Sequence, residues 1–167
     1  IGSIPESIGT LNSLEYMNFG QTNLNGTIPY SIGNLKKLAY LNLGEIYLMT
    51  GTIPDSIGNL TSIQYLNFAY NKFEGNIPED LSNLNSLTYL AIHNNQLTGI
   101  IPENSICGLS SVTHLYFNDN ELNGNIPDCI GNLTNLIEIK FQNNELTGII
   151  PENIENLVNL EILTINE

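Results

Sequence analysis

Apolar residues recur along this chain in a short pattern that starts at period three and ends at period two. In residues 87–99, for example, Leu87 and Leu90 are followed by Ile92 and Leu97, with polar or small residues between them. Alternation of this kind, next to β-branched and aromatic residues, indicates a short strand with one buried face. Because the pattern returns every 24 or 25 residues, it predicts one strand in each repeat, stacked in parallel on the next.

A Gly-x-Ile-Pro segment closes each repeat. Its prolines follow one another at intervals of 24, 25, 24, 24, 25 and 24 residues: Pro5, Pro29, Pro54, Pro78, Pro102, Pro127 and Pro151. A leucine column repeats at the same period: Leu11, Leu35, Leu60, Leu84, Leu109, Leu133 and Leu157. Glycine supplies a bend, and proline fixes φ without donating a hydrogen bond. Since one such unit cannot bury its own apolar face, the period predicts a solenoid with a continuous core.

Taken together, the repeats read L-x-x-L-x-L-x-x-N-x-L-x-G-x-I-P, a pattern that resembles the plant-type leucine-rich repeat over essentially all 167 residues. The resemblance implies an α/β solenoid: a right-handed superhelix of about seven turns. A parallel β-sheet would line its concave face, with 3₁₀ or irregular segments on the convex side. Members of this family are mostly receptor-like protein or kinase ectodomains and polygalacturonase-inhibitor-like proteins.

Residues 1–167 are interpreted as a single leucine-rich-repeat domain without a linker. The repeat runs to both ends without the polar caps that a solenoid requires, so we expect a fragment of a longer solenoid.

The interior asparagine of the repeat is present in only part of the chain. Asn71, Asn95, Asn120 and Asn144 match it, whereas the first two turns carry Thr22 and Ile46. The Ile46 turn also has one extra residue before its glycine. Because isoleucine cannot satisfy the backbone groups that the asparagine would bind, we predict a local bulge there. A second extra residue, between Pro102 and Leu109, is predicted on the convex side.

Composition narrows the classes of function. Seventeen acidic residues against four lysines and no arginine give a net charge of -13. Nucleic-acid binding requires a positive surface to neutralise phosphates, and anionic membranes select for the same charge, so both are disfavoured. No apolar run is long enough to span a membrane. A basic ligand remains compatible with the charge, although the acidic residues are scattered over the sequence.

Side chains that flank the buried strand positions point outward and form columns across the turns. The first column contains four tyrosines: Tyr16, Tyr40, Tyr65, Tyr89, His114, Glu138 and Ile162. The second contains three asparagines: Asn18, Asn42, Asn67, Ala91, Tyr116, Lys140 and Thr164. The third is Gly20, Gly44, Ala69, His93, Asn118, Gln142 and Asn166, and the fourth Gln21, Glu45, Tyr70, Asn94, Asp119, Asn143 and Glu167.

Two interpretations of the tyrosine column stay open. Tyrosine offers a large, rather rigid contact area with a polar tip, which suits a binding surface. Aromatic pairs on neighbouring strands also stabilise a sheet by themselves. The columns lose their regularity in turns four to six, where chargeable groups replace tyrosine and asparagine. We interpret that region as the part of the surface adapted to a ligand. The predicted concave ligand-binding residues are Tyr40, Tyr65, Tyr70, Tyr89, His93, His114, Tyr116, Asp119, Glu138 and Lys140.

No arrangement in the sequence supports catalysis. His93 and His114 lie about four residues out of register, roughly 13 Å apart, too far to share a metal ion. No serine or cysteine stands beside them as a nucleophile. The segment 118–124 does not follow the calcium-loop pattern, and no phosphate-binding glycine loop occurs. We therefore expect no enzyme, no metal site and no cofactor.

The two cysteines and three sequons bear on cellular location. Cys107 and Cys129 fall at nearly equivalent positions of adjacent turns, which is compatible with a disulfide or with two buried thiols. Asn25, Asn59 and Asn132 begin Asn-x-Thr sequons and are the glycosylation candidates. Asn59 and Asn132 also belong to a column of turn asparagines, which a capping role would explain without glycans. Asn25 is expected to be the most accessible.

These observations predict an extracellular or cell-surface recognition module that binds a protein, peptide or polysaccharide on its concave face. The alternative is a structural component of a larger assembly that contacts its neighbours through the solenoid ends or edges. A third hypothesis, ice binding, would use the flank column Ser3, Thr27, Thr52, Asn76, Ile100, Asn125 and Ile149. Its two isoleucines interrupt any threonine array.

Overall fold

A computed structural model describes residues 2–166 as a repeat solenoid with two parallel sheets. The concave sheet has seven three-residue strands, one from each repeat: β1 (Tyr16–Asn18), β2 (Tyr40–Asn42), β4 (Tyr65–Asn67), β6 (Tyr89–Ala91), β8 (His114–Tyr116), β10 (Glu138–Lys140) and β12 (Ile162–Thr164). These strands pair in sequence order and in parallel, each with the next repeat. The strand predicted for each repeat is confirmed.

The second sheet was not predicted from the sequence. It lies where each repeat approaches its Gly-x-Ile-Pro segment, and its five strands are β3 (Thr50–Thr52), β5 (Lys72–Gly75), β7 (Gln96–Ile100), β9 (Glu121–Asn125) and β11 (Glu145–Thr147). In β5, β7 and β9 one buried residue lies between less buried neighbours, as Leu97 does between Gln96 and Thr98. That alternation is the period-two signal of a strand, but the glycine of each Gly-x-Ile-Pro segment indicates a bend at the same place.

The convex side consists of 3₁₀ segments, each beginning directly after a proline: Glu6–Thr10, Tyr30–Asn34, Asp55–Asn59, Glu79–Asn83, Asp128–Asn132 and Glu152–Asn156. In the fifth repeat a short helix, α1 (Glu103–Cys107), replaces the 3₁₀ segment, and this is the repeat with the extra residue before Leu109. A Cβ on Gly58 would lie 2.3 Å from the Asp80 carbonyl oxygen. Neighbouring convex segments therefore approach so closely that this position requires glycine.

The core runs the length of the solenoid as one cluster of leucine, isoleucine and phenylalanine side chains. Phe68, Phe73, Phe117 and Phe141 are its largest members, and the rings of Phe117 and Phe141 stack at 5.7 Å. Within residues 2–166 no helix has the length and hydrophobicity needed to cross a membrane.

The interior asparagines link successive turns from inside. The side-chain amide of Asn95 donates to the carbonyls of Phe68, Ile92 and His93, and its oxygen accepts the Phe73 backbone N–H at 3.0 Å. Asn120 and Asn144 make the equivalent set of bonds. Each asparagine thus satisfies backbone groups in its own turn and in the turn before it, which hydrogen-bonds the stack together.

The bulge predicted beside Ile46 is present. The extra residue, Tyr47, has φ of 63°, a left-handed conformation that is unusual for a bulky side chain. Its backbone N–H donates to the Tyr70 carbonyl in the next turn. The side chains of Tyr47 and Leu48 are 56% and 43% exposed, so the insertion places two apolar groups on the surface.

Candidate functional site

The concave sheet aligns the outward columns as the sequence predicts. Tyr16, Tyr40, Tyr65, Tyr89, His114, Glu138 and Ile162 share one register line, and Asn18, Asn42, Asn67, Ala91, Tyr116, Lys140 and Thr164 share the next. The position of Glu167 at the end of the fourth column lies outside the described residues. Not every outward position is exposed, since Ala69, Ala91 and Asn118 are buried beneath larger neighbours.

The four tyrosines of the first column form a face-to-face stack, which we call the tyrosine ladder. The rings of Tyr16, Tyr40, Tyr65 and Tyr89 lie 4.3–4.4 Å apart with interplanar angles of 5–13°. Burial, together with the neighbouring phenols of Tyr65 and Tyr16, raises the pKa of Tyr40 to about 12. Because each inner ring face is covered by the next ring, the ladder exposes mainly ring edges and hydroxyl groups.

The asparagines beside the ladder are occupied by the fold. The side-chain oxygens of Asn18, Asn42 and Asn67 accept the backbone N–H two residues further along, at 2.9–3.0 Å. The Asn67 amide lies over Gly44, where a Cβ would sit 2.6 Å from its nitrogen. These regular columns therefore act as internal supports of the sheet.

A second series of rings crosses the sheet with a different geometry. We call Tyr47, Tyr70, His93 and Tyr116 the open aromatic series. Successive rings lie 6.3, 5.2 and 5.8 Å apart at angles of 56°, 80° and 73°, so the first contact is tilted, the other two are edge to face, and none is stacked. Tyr70 is 41% exposed. Edge-to-face contact leaves part of each ring face uncovered, which is where a ligand group can stack.

Tyr116 connects the open aromatic series to a charged cluster in turns five and six. Its hydroxyl donates to the Glu138 carboxylate at 2.5 Å, and Lys140 pairs with the same carboxylate at 2.6 Å. The Lys140 ammonium also lies 5.0 Å from the centre of the Tyr116 ring. Burial acts to raise the pKa of Glu138, but Lys140 and Tyr116 outweigh it and hold that pKa below its usual value. Burial and the hydrogen bond to Glu138 raise the pKa of Tyr116.

His93 lies among groups of opposite charge. Burial lowers the pKa of its imidazole, and Lys140 acts in the same direction, while the carboxylates of Asp119 and Glu45 oppose them. Its Nδ1 atom is buried and has no hydrogen-bond partner within residues 2–166. His114 lies on another side of Tyr116, and its own Nδ1 bonds the Thr113 hydroxyl at 2.8 Å. The structure thus places both histidines against Tyr116.

The fourth column follows the strands and shares one strained conformation. All six of its described members have positive φ between 54° and 60°: Gln21, Glu45, Tyr70, Asn94, Asp119 and Asn143. Amides hold the two carboxylates of this column. Asp119 accepts from the side chains of Asn94, Asn118 and Asn143 at 3.2, 2.5 and 2.6 Å, and Glu45 accepts from Gln21 at 3.1 Å.

The two cysteines lie on the convex side and form a disulfide bond. Cys107 in α1 and Cys129 in the next 3₁₀ segment form a disulfide with Cα atoms 5.6 Å apart. The Glu103 carboxylate lies within 4.8 Å of both sulfurs. Because the disulfide uses both sulfurs, this group does not present a set of thiolate ligands for a metal ion.

The sequons differ from expectation in accessibility. Asn59 and Asn132 are exposed at the ends of their 3₁₀ segments, whereas Asn25 is half-buried and its backbone N–H bonds the Gly2 carbonyl. The expectation that Asn25 is the most accessible was therefore wrong. The side-chain amides of Asn59 and Asn132 make no hydrogen bond within the described chain, so a capping role does not account for them.

Sequence reasoning missed two residues that belong to this surface. Glu45 was placed in the fourth column and Tyr47 in the segment with the extra residue, but neither was predicted to bind a ligand; Tyr47 starts the open aromatic series, and Glu45 is one of the two amide-held carboxylates. The extra residue in their turn was the available signal, because an insertion in a regular repeat must project from the stack.

Comparison with protein families matches the model described as "Leucine-rich repeat region" to residues 1–97, and the model "Leucine Rich Repeat" to residues 111–133 and 135–157. A search of curated proteins found no significant match.

Solved structures give close matches over 99% of this chain. One is the LRR ectodomain of the Arabidopsis thaliana membrane receptor kinase GASSHO1/SCHENGEN3 in complex with CASPARIAN STRIP INTEGRITY FACTOR 2 (33% identity, TM-score 0.92). Another is the Arabidopsis receptor kinase HAESA with the peptide hormone IDA and the co-receptor SERK1 (30%, 0.92). A third is a plant ice-binding protein (32%, 0.87). This chain spans 20%, 28% and 53% of those three structures, respectively.

Proposed function

Because this chain belongs to the leucine-rich repeat family, we propose that it is a recognition segment of an extracellular protein and binds a peptide or protein on its concave face. The open aromatic series is the observation that carries this proposal. Two of its rings, Tyr47 and Tyr70, are 56% and 41% exposed, while the regular tyrosine and asparagine columns are used by the fold. Rigid aromatic groups on a preformed sheet lose little conformational entropy on binding.

Two further observations support this proposal. The solved structures that this chain resembles include receptor ectodomains in complex with peptide hormones. The disulfide between Cys107 and Cys129 is typical of proteins that mature in an oxidising compartment. Asn59 and Asn132, as exposed sequons, are the proposed N-glycan sites, and mass spectrometry of protein secreted from plant cells tests their occupancy.

Screening against a displayed library of random dodecapeptides tests the proposal. Peptides that the protein selects are titrated against a triple variant in which three residues of the open aromatic series, Tyr70, His93 and Tyr116, become alanine. We expect at least a tenfold loss of affinity, since truncation of buried aromatic anchors typically has effects of this order. Tyr30→Ala is the matched control, because Tyr30 is 68% exposed on the convex side. Selected peptides that bind the triple variant as well as the parent would contradict the proposal.

Ice binding is the second candidate, and the resemblance to a plant ice-binding protein favours it. The flank column from Thr27 to Ile149 lies along the second sheet, and its members are exposed. Each side chain rests on the glycine of the next turn, as Thr52 does on Gly75, so the column is regularly spaced. Ile100 and Ile149, 60% and 79% exposed, interrupt its polar groups. Thermal hysteresis absent at millimolar protein would exclude this candidate.

A further inference from the structure

The carboxylates of Glu45 and Asp119 lack a cationic partner on the concave face. Of the four lysines in the sequence, Lys140 pairs with Glu138, and Lys72 begins β5 on the other sheet. Lys36 and Lys37 follow a convex 3₁₀ segment, and the Lys36 ammonium binds the Asn59 carbonyl. Within residues 2–166, the pair of Lys140 and Glu138 is the one salt bridge. Two half-buried carboxylates therefore leave negative potential on this surface.

The amides around these carboxylates fix their positions without neutralising them. Asp119 accepts three amide N–H groups, and Glu45 accepts one. A carboxylate has about four acceptor sites, so each retains free capacity for a donor from a ligand. His93 lies between them, and its lowered pKa keeps it neutral at pH 7. Carboxylates that are held in place by neutral donors are prepared for a cation.

Their separation follows from the repeat. Glu45, Tyr70, Asn94 and Asp119 occupy the same column in four successive turns. Parallel strands stack at about 4.8 Å, so the two carboxylates lie three steps, or about 14 Å, apart along the solenoid. An extended peptide advances about 3.4 Å per residue, and four residues therefore span the same distance. The exposed face of Tyr70 lies between the two carboxylates.

We propose that the strip formed by Glu45, Tyr70, Asn94 and Asp119 binds an extended peptide that carries two cationic side chains four residues apart, one at each carboxylate. The peptide runs along the solenoid across the strands, and its intervening residues pack on Tyr70. Guanidinium groups are the best match, because they donate in a planar fork to a carboxylate and stack on an aromatic face. This inference rests on the proposed recognition function and defines the class of peptide.

Matched peptides test this directly. The probes are octapeptides with acetylated N-termini and amidated C-termini, displayed on an array, and their other residues vary between sequences. Each sequence is made in four versions, with arginine or citrulline at position two and at position six. Citrulline keeps the shape of arginine and removes its charge. We expect the di-arginine version to bind best and each single replacement to weaken binding about tenfold at low salt, because hydrogen bonds to charged groups are the strong ones. The preference for arginine over citrulline should decrease as the salt concentration rises.

Variants of the protein identify which arginine meets which carboxylate. In Asp119→Asn, replacing one of the two arginines should no longer matter, while the other retains its effect; Glu45→Gln should give the reverse pattern. Asparagine tolerates positive φ and keeps an acceptor oxygen, so the fold is retained. Asp55→Asn and Glu74→Gln are matched controls on exposed positions of the convex side and the second sheet, and neither should change the preference.

The other outcomes separate this inference from the proposed function. Peptides that bind, lose affinity in Tyr116→Ala and tolerate citrulline at both positions would overturn the inference and leave the recognition function intact. Binding that no concave variant alters, or no binding by any peptide, would overturn both. Neutral chitohexaose that binds with equal affinity to the parent, Glu45→Gln and Asp119→Asn would replace the cationic peptide with a glycan.

Discussion

The side-chain oxygen of Asn71 is buried without a hydrogen-bond donor, and the Met49 backbone N–H, its counterpart in the repeat, makes no bond to it. In the three later turns the equivalent oxygen accepts the corresponding backbone N–H, as Asn95 does from Phe73 at 3.0 Å. The turn of Met49 differs from the others by carrying Ile46 and the extra residue Tyr47. The turn in which the insertion exposes Tyr47 is therefore also the turn that gives Asn71 no bond to accept.

Alanine at Asn71 and at Asn95 should consequently differ in cost. Asn95→Ala removes three donated bonds and one accepted bond, and we expect it to lower the free energy of unfolding by about 2–4 kcal/mol. Asn71→Ala removes a similar donor set but no accepted bond, so its cost should be about 1 kcal/mol smaller. Urea denaturation of both variants measures the difference. An equal cost would mean that the accepted bond contributes nothing.

The disulfide should stabilise the region where α1 replaces a 3₁₀ segment. Cys107 and Cys129 are separated by 22 residues in the sequence. In the chain-entropy view, closing a loop of this length contributes about 3 kcal/mol by restricting the unfolded chain. We expect reduction to lower the free energy of unfolding by this amount. The variant with alanine at both positions is the control, because reductant should leave its stability unchanged. Equal stability of the oxidised and reduced parent would contradict the prediction.

Much of this fold could be predicted because its signals are local and repeated. The column that contains Tyr65 and Tyr89 follows from the repeat length alone, since equivalent residues must lie side by side. The second sheet escaped prediction because its strands contain positive-φ glycines such as Gly75 and Gly99, which in a sequence indicate a bend.

The candidate site was harder to predict than the fold. A list of columns shows that Tyr65 and Tyr70 are both tyrosines on the same turn, but not that one is stacked and the other meets its neighbour edge to face. That difference depends on ring orientation, which the side chains of adjacent turns decide together. The amides that hold Asp119 come from Asn118 directly before it and from its column neighbours in the adjacent turns, Asn94 and Asn143. Hydrogen bonds between such residues do not recur from turn to turn, so the repeat pattern does not predict them.

His93 should make the stability of the protein depend on pH below neutrality. Because burial holds the pKa of folded His93 below its usual value, the unfolded chain takes up a proton at a higher pH than the folded one. The free energy of unfolding should therefore fall as the pH drops below about 6.5, and level off once folded His93 is protonated as well. Denaturation between pH 5 and 7.5 measures this slope, above the range in which carboxylates titrate.

Replacement of the imidazole isolates its contribution. His93→Gln should flatten the slope between pH 5 and 7.5, because glutamine does not titrate. His114→Gln, on the same sheet, is the control for the loss of an imidazole. A slope that persists in His93→Gln would assign the pH dependence to other groups.

The two kinds of tyrosine on the concave face should respond in opposite ways to substitution. Tyr65 is half-buried and stacks against Tyr40 and Tyr89 at 4.4 Å on each side. Tyr65→Ala should lower the free energy of unfolding by about 2–3 kcal/mol, since it removes both stacking contacts and buried area. Tyr70 is 41% exposed and has φ of 56°, a conformation that asparagine adopts more readily. Tyr70→Asn should therefore leave stability unchanged or raise it by up to about 1 kcal/mol.

The same pair of variants distinguishes scaffold from binding surface. The binding surface proposed above includes Tyr70 and not Tyr65, so the two substitutions should separate an effect on affinity from an effect on stability. Chemical denaturation and peptide titration on the same preparations should show that Tyr70→Asn loses affinity while retaining stability. Tyr65→Ala should be less stable than the parent, but its affinity for the peptide should equal that of the parent when both are measured well below the melting temperature of the variant. A large loss of stability in Tyr70→Asn would instead assign the open aromatic series to the fold.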